Sequence, residues 1–146
     1  MGKILCATRG GEASFRTQDK AIALAKDQGD ELIFLFVADV SFLDNTAAPV
    51  VVDVEQEMVQ MGEFLLAMAQ ERAAAQGVRA QQVVRRGKLR IELPAAAKEL
   101  GATLIVIGRP ADRHGVFDAE TLHTFADYLR DVTGIKVWAP EIEERE

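Results

Sequence analysis

Five short β-prone runs alternate with segments of helical spacing, and this alternation constrains the fold of the 146-residue chain most strongly. The predicted strands cover residues 3–8, 32–37, 80–86, 103–107 and 135–138. Strands that alternate with helices form parallel sheets through right-handed crossovers, and continuous apolar strands are typical of sheets buried on both sides. We therefore expect an α/β fold, a doubly wound five-stranded parallel sheet with helices on both faces.

The intervening segments predict four helices. The first covers residues 14–28 and begins at Ser14, the second covers 53–76 and begins at Asp53, and the third covers 91–100. The last helix begins after Asp118 or Ala119 and ends at Gly134. Residues 38–52 are predicted as a long loop, and Pro94 is expected in the first turn of its helix. Two apolar stripes are expected to be buried: Val54, Met58, Met61, Leu65, Met68 and Leu122, Phe125, Leu129, Val132. On this spacing the methionines are interpreted as core residues.

Composition predicts one domain over residues 1–140 and an acidic tail over 141–146. The tail carries half of the net charge of −6, which arises from 17 basic and 23 acidic residues. Such an acidic balance is unfavourable for non-specific nucleic-acid binding. No apolar run reaches the roughly 18 residues of a membrane span, and the N-terminus is too short for a secretory signal. A lone Cys6 leaves no pair for a disulfide, so we expect a soluble, cytoplasmic protein.

Polar and glycine residues follow the predicted strands at the ends where α/β proteins bind ligands. In open parallel sheets, ligands bind beyond the carboxyl ends of the strands, where the strand order reverses. The candidate segments are Arg9-Gly10-Gly11, Ala38-Asp39, Gly87-Lys88 and Gly108-Arg109.

One segment of the chain resembles a known family. Residues 87–108, GKLRIELPAAAKELGATLIVIG, are similar to the hallmark segment of universal stress proteins: a glycine, a short helix, then Gly-Ala-Asp-Leu-Ile-Val-hydrophobic-Gly. Thr103 stands in place of the usual Asp. Lys3-Ile4-Leu5-Cys6-Ala7 resembles the opening strand of that family, and the order of elements agrees over residues 1–140.

The resemblance implies a flavodoxin-like sheet in the order 3-2-1-4-5 and a homodimer formed through the last strand, Ile135-Lys136-Val137-Trp138. Many members of the family bind ATP over strands one, two and four, with the phosphates on a Gly-x-x-Gly-x9-Gly-Ser/Thr loop. The resemblance and the strand-end positions together give the expected ligand-binding residues, which are Thr8, Arg9, Gly10, Val37, Gly87, Lys88, Ile107, Gly108, Arg109, His114 and Gly115.

The chain departs from the ATP-binding pattern of the family in three places. Arg9 replaces an Asp, Ala111 replaces the second loop glycine, and Thr121-Leu122 lacks the glycine of the Gly-Ser/Thr pair. Pro110 also removes an N–H donor from the loop. Because glycines let backbone N–H groups close around phosphate oxygens, we expect the usual ATP cradle to be incomplete.

Two interpretations of the basic residues near this edge remain open. Either an anion is bound, or the cations pair with Glu92, Asp112 or Asp118 as solvated side chains. The cations concerned are Arg9, Lys88, Arg90, Arg109 and Arg113.

Three further residues have two interpretations each. Cys6 in a buried strand is read as an inert hydrophobe rather than a nucleophile. His114 either contacts a phosphate or has no such role. Trp138 lies either in the core or in the dimer interface.

The sequence supports a catalytic function less well than a binding function. Residues 9–14 resemble the Ser-Gly-Gly-x-Asp-Ser loop of ATP pyrophosphatases, but Arg9 and Ala13 stand where that loop has its first Ser and its Asp. The loop also lacks the Ser/Thr run of flavodoxins. We expect a non-catalytic, dimeric regulatory or binding protein without a metal, whose ligand is an anion or an ATP- or AMP-like nucleotide. The alternatives are a ligand-free adaptor and an ATP-binding, weakly hydrolysing stress-response protein.

Overall fold

The computed structural model describes residues 2–8, 12–39, 48–108 and 119–140. The elements in chain order are β1 Lys3–Ala7, α1 Glu12–Gln28, β2 Glu31–Ala38, α2 Ala48–Ala75, β3 Ala80–Arg86, α3 Leu89–Leu100, β4 Leu104–Val106, α4 Ala119–Thr133 and β5 Lys136–Trp138. All strand pairs are parallel, and the sheet order is β3-β2-β1-β4-β5. The predicted fold class and strand order are confirmed.

The two faces of the sheet build two separate cores. Alternate residues of β1 point to opposite faces, so Ile4 and Cys6 pack under α1 and α2 while Leu5 packs under α3 and α4. The chain runs outward from β1 to β3 and then returns to β4, and the strand order therefore reverses between β1 and β4. Ligands of doubly wound proteins bind at such a point.

Helix α2 differs most from its prediction. It begins at Ala48, five residues before Asp53, so residues 48–52 belong to the helix and not to the predicted loop. The predicted methionine stripe is wrong in part, because Met61 is 50% exposed and Met68 is 37% exposed. Small residues face the sheet instead: a Cβ atom on Gly62 would lie 2.3 Å from the Phe36 ring. Small side chains allow this close approach of α2 to β2. The face of α2 that packs on the sheet is therefore not the face that the apolar spacing predicts.

Helix α3 begins at Leu89, two residues earlier than predicted, so Pro94 lies inside the helix and not in its first turn. A residue with an N–H at position 94 would donate it to the Arg90 carbonyl four residues back. That carbonyl instead accepts a 3.3 Å hydrogen bond from the Tyr128 hydroxyl on α4. The Arg90 guanidinium lies 4.5 Å from the centre of the Tyr128 ring. A side chain of the neighbouring helix thus replaces the bond that proline cannot make.

The remaining differences are smaller. Helix α1 begins at Glu12, and β1, β4 and β5 are each one or two residues shorter than predicted. In α4 the expected core residues Leu122, Phe125 and Leu129 are buried, but Val132 is 37% exposed and was wrongly placed in that stripe. Residues 141–146, the predicted tail, lie outside the described residues. Within the described parts of the chain, no helix has the length and apolar content needed to cross a membrane.

Thr103, which stands where universal stress proteins usually have Asp, keeps a polar link to the first strand. Its hydroxyl oxygen accepts the Lys3 N–H at 2.9 Å and lies 3.1 Å from the Lys3 carbonyl, to which the hydroxyl donates. The start of β4 is therefore fastened to the start of β1 by a hydroxyl.

Candidate functional site

At the carboxyl ends of β2 and β3, polar groups form hydrogen bonds with other residues of the chain. The Asp39 carboxylate, directly after β2, accepts the Leu89 N–H at the start of α3 at 2.9 Å. Gly87 has φ +135°, a conformation that favours glycine, and its N–H donates to the Ala38 carbonyl at 3.2 Å. Because helix N-termini attract anions, the Asp39 carboxylate supplies the negative charge there.

The described cations near this half of the edge mostly have partners within the protein. Arg85 makes bonds of 2.9 Å to Glu92 and 2.6 Å to Glu99, and these bonds raise the pKa of the Arg85 guanidinium. Arg90 lies inside α3 against Tyr128, so the prediction that it precedes the helix is wrong. The backbone of Lys88 is extended directly before α3, and its side chain makes no capping hydrogen bond to the helix. Lys88 therefore remains a candidate ligand-binding residue.

The carboxyl ends of β1 and β4 carry a buried polar group of residues, the switch-point cluster, formed by Thr8, Thr17, Gln18 and Gly108. Thr8 and Gly108 lie two residues beyond the paired residues Cys6 and Val106. The three polar side chains are each 2% exposed, and Gln18 Nε2 donates to Thr8 Oγ1 at 2.8 Å. A Cβ atom on Gly108 would lie 2.0 Å from Thr17 Oγ1, so glycine is required for α1 to approach β4. The cluster therefore ties α1 to the point where the strand order reverses.

Among the described parts of the chain, one polar atom of this cluster has no hydrogen-bond partner. Gln18 Oε1 is buried, and no donor lies within hydrogen-bond distance in the described structure. An unsatisfied buried polar group costs about 1–3 kcal/mol, which a bound water or a ligand donor would recover.

The other expected ligand residues divide into two groups. Val37 and Ile107 are 5% and 2% exposed, and they belong to the apolar core on the α3 and α4 side, opposite to Thr8. Arg9, Gly10, Arg109, His114 and Gly115 lie outside the described residues, so their convergence at this edge stays a prediction. The edge thus combines an apolar wall on one face with a polar cluster on the other.

One position of the ATP pattern and the lone cysteine have clear environments. Leu122, where the Gly-Ser/Thr pair of the family would place its hydroxyl residue, is fully buried in the α3 and α4 core. Burial raises the pKa of the Cys6 thiol to about 12 and keeps the thiol protonated. Among the described residues, no group of three or more His, Cys, Asp or Glu side chains is arranged to hold a metal ion.

Thr17 and Gln18 contribute to this edge but are absent from the residues expected to bind the ligand, whereas Asp39 belongs to the candidate segment Ala38-Asp39. The sequence carries one signal for Gln18, because it precedes Ala21 and Ile22 by three and four residues and therefore shares their buried face. Asp39 directly follows a predicted strand, but only the fold shows that its carboxylate reaches α3 across 50 residues of sequence.

A parallel sheet in the order 3-2-1-4-5 with a polar cluster at its switch point defines a flavodoxin-like α/β protein. The chain belongs to the universal stress protein family, since a sequence model of that family matches residues 1–126. It is 32% identical over 114 residues to universal stress protein YxiE of Bacillus subtilis, and the match covers 73% of this chain and 77% of that protein.

Solved structures agree on the fold. A universal stress protein family member from Burkholderia pseudomallei is 26% identical, with a TM-score of 0.71 and 94% of each chain covered. A universal stress protein solved in complex with cAMP is 20% identical, with a TM-score of 0.63 over 94% of this chain and 95% of that one. The protein from Archaeoglobus fulgidus in complex with dAMP is 13% identical, with a TM-score of 0.60 over 95% and 96% of the two chains.

Proposed function

We propose that this chain is a non-catalytic regulatory protein that binds a nucleotide or another small anion at the carboxyl edge between β1 and β4. The observation that carries the proposal is the switch-point cluster, in which a buried amide lacks one hydrogen-bond partner among the described residues. Family membership and the neighbours solved with cAMP and dAMP support a nucleotide as the ligand. Arg9 and Arg109, which directly follow Thr8 and Gly108, are the proposed anion contacts.

The sequence favours a ligand with one phosphate over a triphosphate. The triphosphate loop departs from the family pattern at Ala111 and at Thr121-Leu122, Pro110 lacks an N–H donor, and Leu122 is buried in the core. A loop with fewer free N–H groups and less left-handed freedom holds fewer phosphate oxygens. We therefore expect AMP or a cyclic nucleotide to bind more tightly than ATP.

Isothermal titration calorimetry with AMP, cAMP, ATP and inorganic phosphate tests the proposal. We expect heat with AMP or cAMP and a weaker response with ATP, together with lower affinity in an Arg9→Ala variant. The matched control is Arg79→Ala, which removes an exposed arginine that precedes β3. Absence of heat with all four ligands at millimolar concentration would exclude the function. Release of phosphate from ATP and Mg²⁺ above a blank would favour the weakly hydrolysing alternative instead.

We further propose a cytoplasmic homodimer formed through β5, with residues 1–140 as the folded unit and 141–146 as a solvated tail. Within the described sheet β5 pairs only with β4, so its other edge is open to a second copy. A cleft of about 740 Å³ lies beside it, lined by apolar residues such as Leu24, Ile135 and Trp138 and also by the polar residues Gln28, Asp30, Thr103 and Lys136. A two-fold pairing of β5 would continue the sheet and cover this cleft.

A further inference from the structure

The exposed face of α2 carries an apolar line that the proposed ligand site does not use. Met61, Phe64 and Met68 are 50%, 56% and 37% exposed, and we call these three residues the α2 stripe. Their spacing of three and four residues places them on one side of the helix. Val50, 48% exposed, lies on the same side about three turns earlier.

The core does not need these side chains. Leu66, Ala69 and Ala73 of the same helix are fully buried and supply the contact with the sheet, together with the close approach at Gly62. Large apolar residues that are exposed in a line are a feature of interaction surfaces, and methionine adapts readily to the shape of a partner.

The charges on α2 indicate what kind of partner fits. Glu57 lies one turn before Met61, and Glu71 lies one turn after Met68; both are exposed. Asp53 and Glu63 are also exposed, whereas Arg72, the one basic residue of α2, is paired with Asp19 of α1. The stripe is therefore bracketed by two carboxylates that have no ion-pair partner among the residues the structure describes.

This bracket disfavours a second copy of the chain as the occupant. Glu57 and Glu71 lie seven residues to either side of Phe64. An antiparallel pair of α2 helices centred on Phe64 would bring Glu57 against Glu71 of the other copy, and a parallel pair would oppose identical carboxylates. Like charges placed opposite each other are unfavourable in an interface.

We propose that the α2 stripe is a docking site for a basic amphipathic helix of another protein. The partner helix has apolar residues at a spacing of three and four, and a lysine or arginine about one turn outside each end of that apolar segment. The apolar residues pack on Met61, Phe64 and Met68, while the two cations face Glu57 and Glu71. This site lies on the α1 and α2 side of the sheet and does not depend on the nucleotide proposal.

A synthetic helical peptide with this pattern tests the proposal by fluorescence anisotropy with the full chain. The control peptides have either glutamates in place of the flanking lysines or the same composition with the apolar residues moved off one face. We expect saturable binding of the first peptide only, weakened by added salt. Phe64→Ala should lower its affinity about tenfold or more, because central aromatic residues dominate such interfaces.

Ile91→Ala is the matched control variant, since Ile91 is 59% exposed but lies on α3, on the opposite face. It should leave peptide affinity unchanged. In the double variant Glu57→Lys, Glu71→Lys, we expect preference to shift from the lysine-flanked to the glutamate-flanked peptide. Binding that Phe64→Ala does not weaken, equal binding of all three peptides, or no binding at millimolar peptide would each overturn the proposal. So would light scattering that shows Phe64→Ala dissociating a dimer, because the stripe would then be a self-interface.

Discussion

At the scale of single residues, Gln18 is a buried polar group that supports the ligand site proposed above. Its amide lies beside Ala21 and Ile22 on the buried face of α1, where an apolar residue would avoid the cost of desolvation. One end of the amide donates to Thr8 and the other has no partner in the described structure. A residue that is unfavourable in the ligand-free protein is consistent with a role in binding.

Gln18→Met should separate stability from binding. Methionine has a similar volume and removes the unsatisfied atom, so we expect the free energy of unfolding of the ligand-free protein to be unchanged or to increase by about 1–2 kcal/mol. Affinity for AMP or cAMP should fall at the same time. Urea denaturation and calorimetry measure the two effects. A loss of stability above about 1 kcal/mol would show that the amide is already satisfied, and Gln60→Met on the exposed face of α2 serves as the control.

Cys6 should make the free energy of unfolding depend on pH in the alkaline range. Its pKa is raised from 9.0 to about 12 by burial, so above pH 9 the unfolded chain loses this proton while the folded chain keeps it. The contribution of the thiol is complete below pH 9 and is lost as the pH rises toward 12, by about 1.4 kcal/mol per pH unit. We expect unfolding free energies between about pH 8 and 10.5 to fall more steeply in the native chain than in Cys6→Ala. Parallel curves would contradict the burial of a protonated thiol.

At the scale of elements, helix ends and helix faces depended on contacts that the local sequence does not contain. Pro94 predicts a first-turn position because a proline inside a helix leaves a carbonyl without its donor. Here the Tyr128 hydroxyl, from the neighbouring helix α4, bonds to the Arg90 carbonyl, which permits α3 to begin at Leu89. Asp39 completes that start by accepting the Leu89 N–H.

A double-mutant cycle on Pro94 and Tyr128 tests whether the Tyr128 hydroxyl replaces the backbone N–H that Pro94 lacks. Tyr128→Phe should cost about 0.5–1.5 kcal/mol of unfolding free energy in the native background, since the Arg90 carbonyl loses its donor. The same change should cost less in the Pro94→Ala background, because the backbone N–H that the substitution restores can then bond to that carbonyl. Thermal denaturation of the four proteins gives the coupling energy. Equal costs in the two backgrounds would exclude compensation by Tyr128.

Asp39→Ala should weaken the start of α3 in the same way. A lost capping carboxylate costs about 0.5–2 kcal/mol of stability, and here the loss falls on a cap from a distant part of the chain. Asp39→Asn should retain most of the stability because its amide oxygen can still accept the Leu89 N–H. Chemical denaturation compares the two variants. A loss in Asp39→Asn as large as in Asp39→Ala would show that charge, and not the hydrogen bond, is responsible.

At the scale of the whole molecule, the sheet ends in two edge strands, β3 and β5, and the helices cover its two faces unequally. Helix α1 packs on β1 and β2, and the same face near β5 contains the cleft beside Trp138. Trp138 is partly buried and packs against the core under α1, so the core interpretation is confirmed in part, whereas the interface interpretation stays a prediction. The dimer that we propose through β5 would bury the remainder.

Trp138→Asp should dissociate that dimer. A charge at the centre of the pairing and the loss of an aromatic anchor should raise the dimer dissociation constant about thirtyfold or more. Light scattering over a range of concentrations measures the constant, and circular dichroism verifies the fold. Because Trp138 also supports the core, the milder Trp138→Ala variant is measured in parallel. A folded variant that keeps the native dimer affinity would contradict an interface at β5.

The sequence by itself determined the order of the elements, the parallel sheet and the family, because each depends on local patterns of apolar residues, glycines and one long hallmark segment. It also located the edge where Thr8, Gly87, Lys88 and Gly108 lie, since parallel strands bring their carboxyl ends together.

Only the tertiary structure decided which side of α2 is buried, that α3 tolerates Pro94, and that Gln18 and Thr17 join the switch-point cluster. These outcomes depend on pairs of atoms far apart in sequence, such as Gly62 with Phe36 and Arg90 with Tyr128. Packing distances and hydrogen bonds between separate elements override local spacing because a close fit and a satisfied polar group each contribute free energy comparable to the local preferences.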